Sequence, residues 1–549
     1  MMKNSHNPKT QNPKFATPTF ILILLLLLSS TPLSSSSHRK PPPLPILPLP
    51  TSRQLSWQLG NMAMFLHFGP NTFTDSEWGS GHAHPSVFFP TRFNASQWIQ
   101  VAKDSGFSRV ILTAKHHDGF CLWPSNYTDY SVRSSPWRGG TGDVVAELAE
   151  AAREAGIGLG LYLSPWDRHE ECYGKTLEYN EYYMGQMTEL LTRYGVIKHV
   201  FLDGAKGAGE KDMEYFFDCW FSLIHQLQPE AVIFSDAGPD TRWIGDEAGV
   251  AGSTCWSLLN RSAVKIGGTD YPYLRRGDPC GHDWVPAECD VSIRPGWFWH
   301  ASESPKSART LLDLYYSSVG RNCHLLLNVP PNTSGLISDE DIQVLQEFNE
   351  LRNAIFSNNL AENGIPSASS TRGPQFSCHN VLEEGIYSYW APEEDQSDWV
   401  LYFDFQEFVS FNVLQVQEPI HMGQRVSEFH LDILDESREW KRLISGTTVG
   451  YKRLLRFPKV ETQGLRFVVD RSRADPLISY LGIHMDPFSI LSNISDTSLS
   501  SQPYVNGSQP YPNGSQAHFN ASHAPQWEPI SSANFTQPFS GFHNLAFSG

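Results

Sequence analysis

Short apolar runs recur along about the first two thirds of the chain, and most are followed by a segment with helical periodicity. Strands are predicted at the runs 62–68, 110–114, 157–163, 200–202, 231–234 and 325–329, with weaker candidates at 254–258 and 291–299. Helices are predicted at about 143–155, 179–194, 213–227, 306–319 and 339–356. Because strands that alternate with helices pair in parallel, this order predicts an α/β fold with a TIM-like (β/α)8 barrel over residues 51–360.

The pattern changes in the region 365–488, where helix signals become sparse. Short runs that alternate between apolar and polar residues occur at 399–405, 411–416, 429–433 and 465–469. Such alternation is typical of half-buried strands, and it predicts an all-β sandwich domain packed beside the barrel. The sandwich could bind sugar or simply support the barrel, and the pattern leaves both roles open.

Both ends of the chain lack these patterns. Residues 1–36 carry Lys3 and Lys14, then an apolar run at 20–28 that is too short to span a membrane, then small residues. This arrangement is typical of a secretory signal peptide, and a proline-rich linker follows at 37–50. Residues 489–549 are rich in Ser, Asn, Pro and Gly, which predicts a disordered tail without the hydrophobic stretch of a lipid-anchor signal.

Potential glycosylation sites agree with export. Asn-X-Ser/Thr sequons occur at Asn94, Asn126, Asn260, Asn332, Asn493, Asn506, Asn513, Asn520 and Asn534. We therefore expect a secreted glycoprotein in the extracellular space, which is the apoplast or cell wall in a plant, with the vacuole left open. The net charge of -17 argues against a nucleic-acid partner, since binding a phosphate backbone needs clustered Lys and Arg.

The cysteines are read as structural. Eight cysteines occur without the paired C-x-x-C spacing of a zinc site, so disulfides are expected rather than a metal, and no cofactor is predicted. Cys280 and Cys289 are the first pair expected to form a disulfide, although connectivity cannot be deduced from sequence.

Polar and aromatic residues recur where the predicted strands end. They are His67, Lys115, His116, His117, Asp118, Tyr162, Trp166, Asp167, Asp203, Asp236, Trp297 and His300. Active sites of (β/α)8 barrels gather at the C-terminal ends of the strands, so the recurrence predicts a site there. Asp203 follows the fourth run directly. Its own heptad, 198–204, favours a helix-cap or turn aspartate, and only the barrel context favours a reactive role.

Aromatic residues and carboxylates together indicate carbohydrate chemistry. Indole faces can pack against a pyranose, and the candidates are Trp78, Trp123, Trp166, Trp243, Trp256 and Trp297. Cleavage of a glycosidic bond needs two carboxyl groups, and Asp203 can supply the first. Glu247, in a glycine-flanked loop after the fifth strand, can supply the second. Spacing alone does not separate Glu247 from Glu77 or Glu288.

Six motifs then give a resemblance to a known family. The segments MFLHFGPNTFTDSEWG, AKHHDGFCLWPS, YLSPWDRH, VFLDGAKG, GPDTRWIGDEAG and AECDVSIRPGWFWH resemble the α-L-fucosidases of glycoside hydrolase family 29. The resemblance covers about residues 53–487 and is closer to the branch selective for α-1,3/1,4-linked fucose. It implies hydrolysis of fucosylated oligosaccharides and glycoprotein glycans, including Lewis-type glycans and N-glycans, and leaves the oligomeric state open.

The resemblance also implies roles for individual residues. It implies a retaining mechanism with Asp203 as nucleophile and Glu247, from the Gly-X-Glu-Ala-Gly loop, as acid/base. The implied fucose contacts are His67, Glu77, Trp78, His116, His117, Tyr162 and Trp297. The chain departs from the family pattern twice: Phe201-Leu202 replaces Trp-Phe before the nucleophile, and Asp246 replaces a common Asn beside Glu247. The second carboxylate could raise the pKa of Glu247 or point to solvent.

Two other functions compete with this interpretation. A metal-dependent hydrolase could use His67, His82, His84, His116 and His117 as ligands. Against it, adjacent histidines are expected to point to opposite sides of a strand, which makes a shared ion difficult. A lectin-like binder with a decayed site is the other alternative, and the presence of both candidate carboxylates counts against it.

Overall fold

The computed structural model describes residues 40–203, 211–268 and 270–489. The predicted signal peptide and the five sequons from Asn493 onward lie outside these residues. The strands of the first part are, in order, β1 (Met62–Leu66), β2 (Arg109–Lys115), β3 (Gly158–Leu163), β4 (His199–Phe201), β5 (Val232–Phe234), β6 (Arg242–Trp243), β7 (Leu258–Leu259), β8 (Asp283–Trp284), β9 (Ala287–Ser292) and β10 (Cys323–Asn328).

Eight of these described strands form one parallel sheet in the order β5-β4-β3-β2-β1-β10-β9-β6. A parallel bridge between Phe234 and Thr241 joins its two ends, so the sheet closes into a barrel. The predicted barrel is confirmed. One strand was placed wrongly, because the run 254–258 leads into β7, which pairs antiparallel with β8 outside the barrel, whereas the two-residue β6 completes it.

The described residues contain nine α-helices, five of which the sequence predicted. They are α1 (Ser52–Leu59), α2 (Pro70–Thr74), α3 (Ala95–Asp104), α4 (Val144–Ala155), α5 (Thr176–Arg193), α6 (Phe217–Leu227), α7 (Tyr271–Arg276), α8 (Ala308–Ser317) and α9 (Asp339–Phe356). Helix α4 shows why such segments fold locally. Asp143 caps its first turn by accepting the N–H of Ala146 at 2.8 Å, and Gly156 ends it in the left-handed conformation. No helix among the described residues is long and apolar enough to cross a membrane.

Side chains from alternate strand positions fill the barrel. Phe65, Ile111, Phe201, Phe234 and Leu326 belong to one buried cluster in its interior. This apolar layer separates the C-terminal ends of the strands from the N-terminal ends. Polar side chains beyond this layer line an open pocket at the C-terminal ends of the strands, whereas the polar residues His199, Glu288 and His324 are fully buried on their strands.

The second part of the chain is antiparallel. Its strands are β11 (Gly364–Ala368), β12 (Val400–Gln417), β13 (Val426–Leu434), β14 (Trp440–Gly446), β15 (Arg453–Ser472) and β16 (Tyr480–His484). They form one described sheet in the order β11-β12-β15-β13-β14, and β16 also pairs with β12. The runs predicted as separate strands at 399–405 and 411–416 are two halves of β12, interrupted by register shifts. Such bulges bend a strand, and both halves contribute to one buried cluster.

The expected disulfide between Cys280 and Cys289 is wrong. Cys289 is bonded to Cys323 instead, with their Cα atoms 6.2 Å apart, and Cys280 is exposed and free. Cys289 lies on β9 and Cys323 on the adjacent β10, so the barrel brings them together across 34 residues of sequence. Nearness in sequence favoured Cys280, but that residue lies in the loop before β8.

Candidate active site

Two adjacent histidines follow a distortion of β2. Its pairing with β3 shifts register between Thr113 and Lys115, and His116 and His117 follow directly. Their ring centroids are 4.1 Å apart, and both rings line one pocket at the C-terminal end of the barrel. The expectation that adjacent histidines point to opposite sides was therefore wrong, because both residues lie beyond the last regular position of the strand.

The pocket histidines are neutral. Burial lowers the pKa of His67 and of His117 to about 3, and it lowers the pKa of His116 well below the usual value. Asn328 Oδ1 accepts from His67 Nδ1 at 2.8 Å, so His67 Nε2 is left as an acceptor. Ser164 gives its hydroxyl proton to the carbonyl of Trp166 at 2.6 Å and accepts from His117 Nδ1 at 2.8 Å. The free acceptor of His117 is then Nε2.

Asp203 stands two residues after β4, with about one third of its side chain exposed. The hydroxyl of Tyr162 donates to its Oδ2 at 3.3 Å, and His117 Nε2 lies 3.6 Å from the same oxygen. Since His117 is neutral with an unprotonated Nε2, these two acceptors face each other across a gap. A donor hydroxyl of a bound sugar would satisfy both.

Glu77 accepts hydrogen bonds from three donors. Its Oε2 accepts the backbone N–H of Trp297 at 2.8 Å, and its Oε1 accepts the N–H of Phe298 at 3.3 Å and His300 Nε2 at 2.5 Å. His300 Nδ1 in turn donates to Asp75 Oδ1 at 2.6 Å. The glutamate thus fixes the backbone of the segment that carries the Trp297 indole.

Glu247 reaches the same pocket from the loop after β6. Its Oε2 accepts from Trp297 Nε1 at 3.1 Å. Although the residue as a whole is exposed, loss of water around the carboxyl is the main reason that its pKa is raised. The bond from Trp297 opposes this rise, and the charges of Glu77 and Asp246 add to it.

Asp246 makes only a small contribution to the pKa of Glu247. Its Oδ2 forms an ion pair with Arg275 at 2.6 Å, and its Oδ1 accepts the N–H of Ala248 at 3.0 Å. The charge that replaces the family's usual asparagine is thereby partly balanced. The same two contacts hold the loop in place. Ala248 directly follows Glu247, and Arg275 lies on α7, so Asp246 anchors the loop to that helix.

Asp290 was missed by the sequence interpretation. It lies near the end of β9, is 7% exposed and lines the pocket. Burial is the main cause that raises its pKa well above the usual range, and the charges of Glu247 and Asp203 act in the same direction. Trp243 Nε1 donates to it at 2.6 Å. Asp290 lies two residues after Glu288, so the two side chains are on the same face of the strand. This spacing, and not the motif, could have indicated that Asp290 points into the barrel.

The pocket brings together every residue that the resemblance implied. Its lining consists of Phe65, His67, Glu77, Trp78, His116, His117, Tyr162, Phe201, Asp203, Glu247, Asp290 and Trp297. Glu288 is excluded as a partner of Asp203, because it lies two residues before Asp290 on β9 and does not line the pocket. Trp123 is buried elsewhere and donates to Glu189 at 2.9 Å.

The described residues provide no ligand set for a metal ion. No group of three or more His, Cys, Asp or Glu side chains there is arranged to hold an ion. His82 and His84 are exposed and do not line the pocket, and His84 instead accepts the N–H of Ser86 at 3.2 Å. The pocket has the acceptors, indole faces and paired carboxyl groups that sugar hydrolysis requires.

Comparison with known proteins gives the family. A family model for α-L-fucosidases matches residues 64–352. α-L-Fucosidase 1 of Arabidopsis thaliana is 73% identical over 452 residues, which cover 81% of this chain and 89% of that protein. The chain belongs to the α-L-fucosidases of glycoside hydrolase family 29.

Solved structures of other family 29 fucosidases agree. The crystal structure of SpGH29 is 40% identical, with a TM-score of 0.78, and the match covers 81% of this chain and 99% of that one. A family 29 fucosidase of Ruminococcus gnavus in complex with fucose is 33% identical, with a TM-score of 0.76, and the match covers 81% and 96%. This fucosidase is thus a glycoside hydrolase with the barrel and β-domain arrangement of its family.

His300 supports the pocket of the fucosidase through its bond to Glu77, and this support depends on pH. Burial acts to lower its pKa, but the bonds to Asp75 and Glu77 outweigh burial and raise it, and the charge of Glu303 helps. The raised pKa means that stabilisation by His300 is complete below about pH 6.5 and is lost as the pH rises through that raised pKa. For His300→Gln we expect weaker fucose binding than wild type at about pH 5, with the difference shrinking towards about pH 8.

Titration calorimetry with fucose across this pH range checks the prediction. His82→Gln is the matched control, because His82 is exposed on the loop that follows Glu77 and its ring does not line the pocket. A constant ratio of the His300→Gln and wild-type dissociation constants at every pH would contradict the role of the imidazolium.

Proposed function

We propose that this protein is a secreted, retaining α-L-fucosidase that releases α-1,3/1,4-linked fucose from glycans, with Asp203 as nucleophile and Glu247 as acid/base. The observation that carries the proposal is the shared pocket of the two residues. Glu247 has a raised pKa, as a proton donor needs, and Asp203 accepts a hydrogen bond from Tyr162, which favours the ionised form that a nucleophile needs.

Double displacement accounts for both carboxyl groups. Asp203 attacks the anomeric carbon and forms an ester bond to it while the glycosidic C–O bond breaks, and Glu247 gives its proton to the leaving oxygen. In the second step the Glu247 carboxylate takes a proton from water, whose oxygen attacks the anomeric carbon and displaces Asp203. The released fucose keeps its α configuration, and Glu247 is protonated again.

The neighbouring side chains fit the recognition of a single fucose. The free acceptors of His67 and His117 receive sugar hydroxyl protons, while Trp297 offers an indole face. Burial and the charges of Glu247 and Asp203 raise the pKa of Asp290, which favours its protonated form, and in that form it donates a hydrogen bond. We assign Asp290 a positioning role through its bond with Trp243, which precedes the loop of Glu247.

The α-1,3/1,4 selectivity rests on the motifs of that branch, on the Gly-X-Glu-Ala-Gly loop above all. We expect defined oligosaccharides with α-1,3- or α-1,4-linked fucose to be cleaved about 100-fold faster than those with α-1,2 or α-1,6 linkages. Measuring kcat/KM for such a panel tests this, with an aryl fucoside as the linkage-free control. Equal rates on all linkages would remove the selectivity from the proposal and leave the fucosidase activity.

Export is supported by the leader-like residues 1–36 and by the sequons, of which Asn94 and Asn126 are exposed. Expression of the full chain in plant cells should place active fucosidase in the medium or cell wall, starting near residue 37 and heavier than its polypeptide. Terminal sequencing and mass spectrometry measure both properties. Retention inside the cell with an intact residue 1 would contradict export.

A further inference from the structure

The N-terminal mouth of the barrel, opposite the candidate active site, holds a second pocket. Its walls come from α1, from the starts of β2 and β3, and from the residues that precede β4 and β5. The lining residues are Arg53, Ser56, Ser108, Arg109, Gly158, Lys198 and Glu230. Three of these side chains are cationic and one is acidic, although the chain as a whole carries a net charge of -17.

Arg109 is the central residue of this pocket. It is the first residue of β2 and is only 7% exposed, and the exposed part faces the pocket. Within the described residues its Nε has no hydrogen-bond partner. A buried guanidinium is costly unless an anion or acceptors compensate it, so an unpaired one beside an open pocket indicates a missing counter-charge.

The barrel interior gives Arg109 no hydrogen-bonded counter-charge among the described residues. Glu288 is the acidic residue that interacts electrostatically with Arg109, but it is fully buried, and neither of its carboxyl oxygens has a hydrogen-bond partner among the described residues. Burial and the nearby Asp290 raise the pKa of Glu288 well above its usual range, which disfavours its charged form. The charge of Arg109 is therefore left to the pocket side.

Two further cations flank Arg109. Arg53 is fixed by bonds to Asp240 Oδ1 at 2.9 Å and to the carbonyl of Pro229 at 3.4 Å. Lys198 is exposed at the rim. Gly158 lies between the chains of Arg109 and Lys198, since a Cβ there would lie 3.2 Å from Arg109 Cβ and 3.6 Å from Lys198 Cβ. The absent side chain keeps the space between the two cations open.

We propose that this pocket binds a small oxyanion, such as inorganic phosphate or sulfate, between Arg109, Lys198 and Arg53. Guanidinium groups bind such oxygens in a fork and an ammonium group adds a point charge, which is the donor set found here. Glu230 is exposed at the rim, where solvent screens it. The anion would link the starts of β2, β3 and β4, so the site acts on barrel stability and lies outside the fucosidase reaction.

Thermal unfolding of the full chain tests the proposal. Sulfate and phosphate, compared with chloride at matched ionic strength, should raise the midpoint of unfolding along a saturating curve, because only the native state binds the anion. Lys198→Met should weaken the apparent affinity about tenfold, and Arg109→Met should abolish the saturating rise. Lys459→Met, which removes an exposed charge on β15, is the control and should behave like wild type.

Titration calorimetry with sulfate measures binding to wild type and to Lys198→Met independently of unfolding. Because Lys198 is exposed, Lys198→Met should fold even if Arg109→Met does not. A saturating signal that Lys198→Met weakens and Lys459→Met leaves unchanged supports the site. A rise that grows linearly with sulfate and is equal in all variants overturns it, because that result is the general effect of an excluded salt. Gly158→Val, which fills the space between the cations, should also lose the calorimetric signal.

Discussion

Replacement of Asp203 by glycine should lower kcat on an aryl fucoside on the order of 10⁴-fold, which corresponds to about 5.4 kcal/mol of transition-state stabilisation. The reason is the loss of the group that forms the covalent intermediate, while the pocket that binds the sugar remains. The KM should change much less, since His67, His117 and Trp297 still contact the substrate. Steady-state kinetics measures both effects.

Azide sharpens this test. In Asp203→Gly, azide can occupy the vacated space and attack the anomeric carbon directly, so it should restore turnover and give a β-configured fucosyl azide. Asp218→Asn is a suitable control, because Asp218 is exposed in the first turn of α6 and should leave kcat unchanged. Near wild-type turnover of Asp203→Gly without azide would falsify the assignment of the nucleophile.

Replacement of Glu247 by alanine should damage the hydrolysis of natural glycans far more than that of aryl fucosides. A sugar leaving group must be protonated as it departs, and a general acid typically contributes about 10²–10⁴-fold to such a step. An activated phenolate leaves without that help, although the water-activating step still suffers. The ratio of kcat/KM on an α-1,3-fucosylated oligosaccharide to that on an activated aryl fucoside measures the difference.

The pH profile provides the second part of this test. Because the pKa of Glu247 is raised, its protonated form persists to higher pH than that of an ordinary glutamate, and activity on glycans should fall as the pH rises through that value. In Glu247→Ala this alkaline limb should disappear, and azide should give an α-configured product. Glu77→Gln is the control and should keep the alkaline limb, since Glu77 is held by three donors. If Glu247→Ala lost glycan and aryl activity equally, another residue would be the acid.

Most barrel strands and five of the helices could be predicted from the apolar periodicity, because parallel strands are buried on both faces. Helices α1 and α3 were not predicted, and the other failures concern elements with too little sequence to show a period. Strand β6 has two residues, Arg242 and Trp243, and its place in the barrel is set by pairing with β9 and by the bridge next to Phe234. The Cys289–Cys323 disulfide likewise depends on which strands are neighbours, and local sequence does not encode that.

The candidate site was predicted through motifs, whereas its electrostatics required coordinates. His116 and His117 both point into the pocket because the register of β2 shifts just before them. The regular alternation of side chains along a strand does not predict this. The raised pKa of Asp290 follows from its burial and from the charges of Glu247 and Asp203. Spacing alone did not separate Glu77 from Glu247, and the structure distinguishes their contacts: Glu77 accepts hydrogen bonds from three donors, whereas Glu247 accepts one from Trp297.

The barrel closes through a bridge between Phe234 of β5 and Thr241, one residue before β6, and the N–H groups of Asp240 and Thr241 donate to the carbonyl of Ile233 at 3.2 Å. This seam is short, and the loop that carries Glu247 begins just beyond it. Asp203, by contrast, follows a strand that is paired on both sides. On warming, the pairing across this short seam should open before the strands on either side of β4 separate, so Glu247, the proposed acid/base, would lose its place while Asp203, the proposed nucleophile, is still held. The enzyme would then fail first on glycans and only later on aryl fucosides.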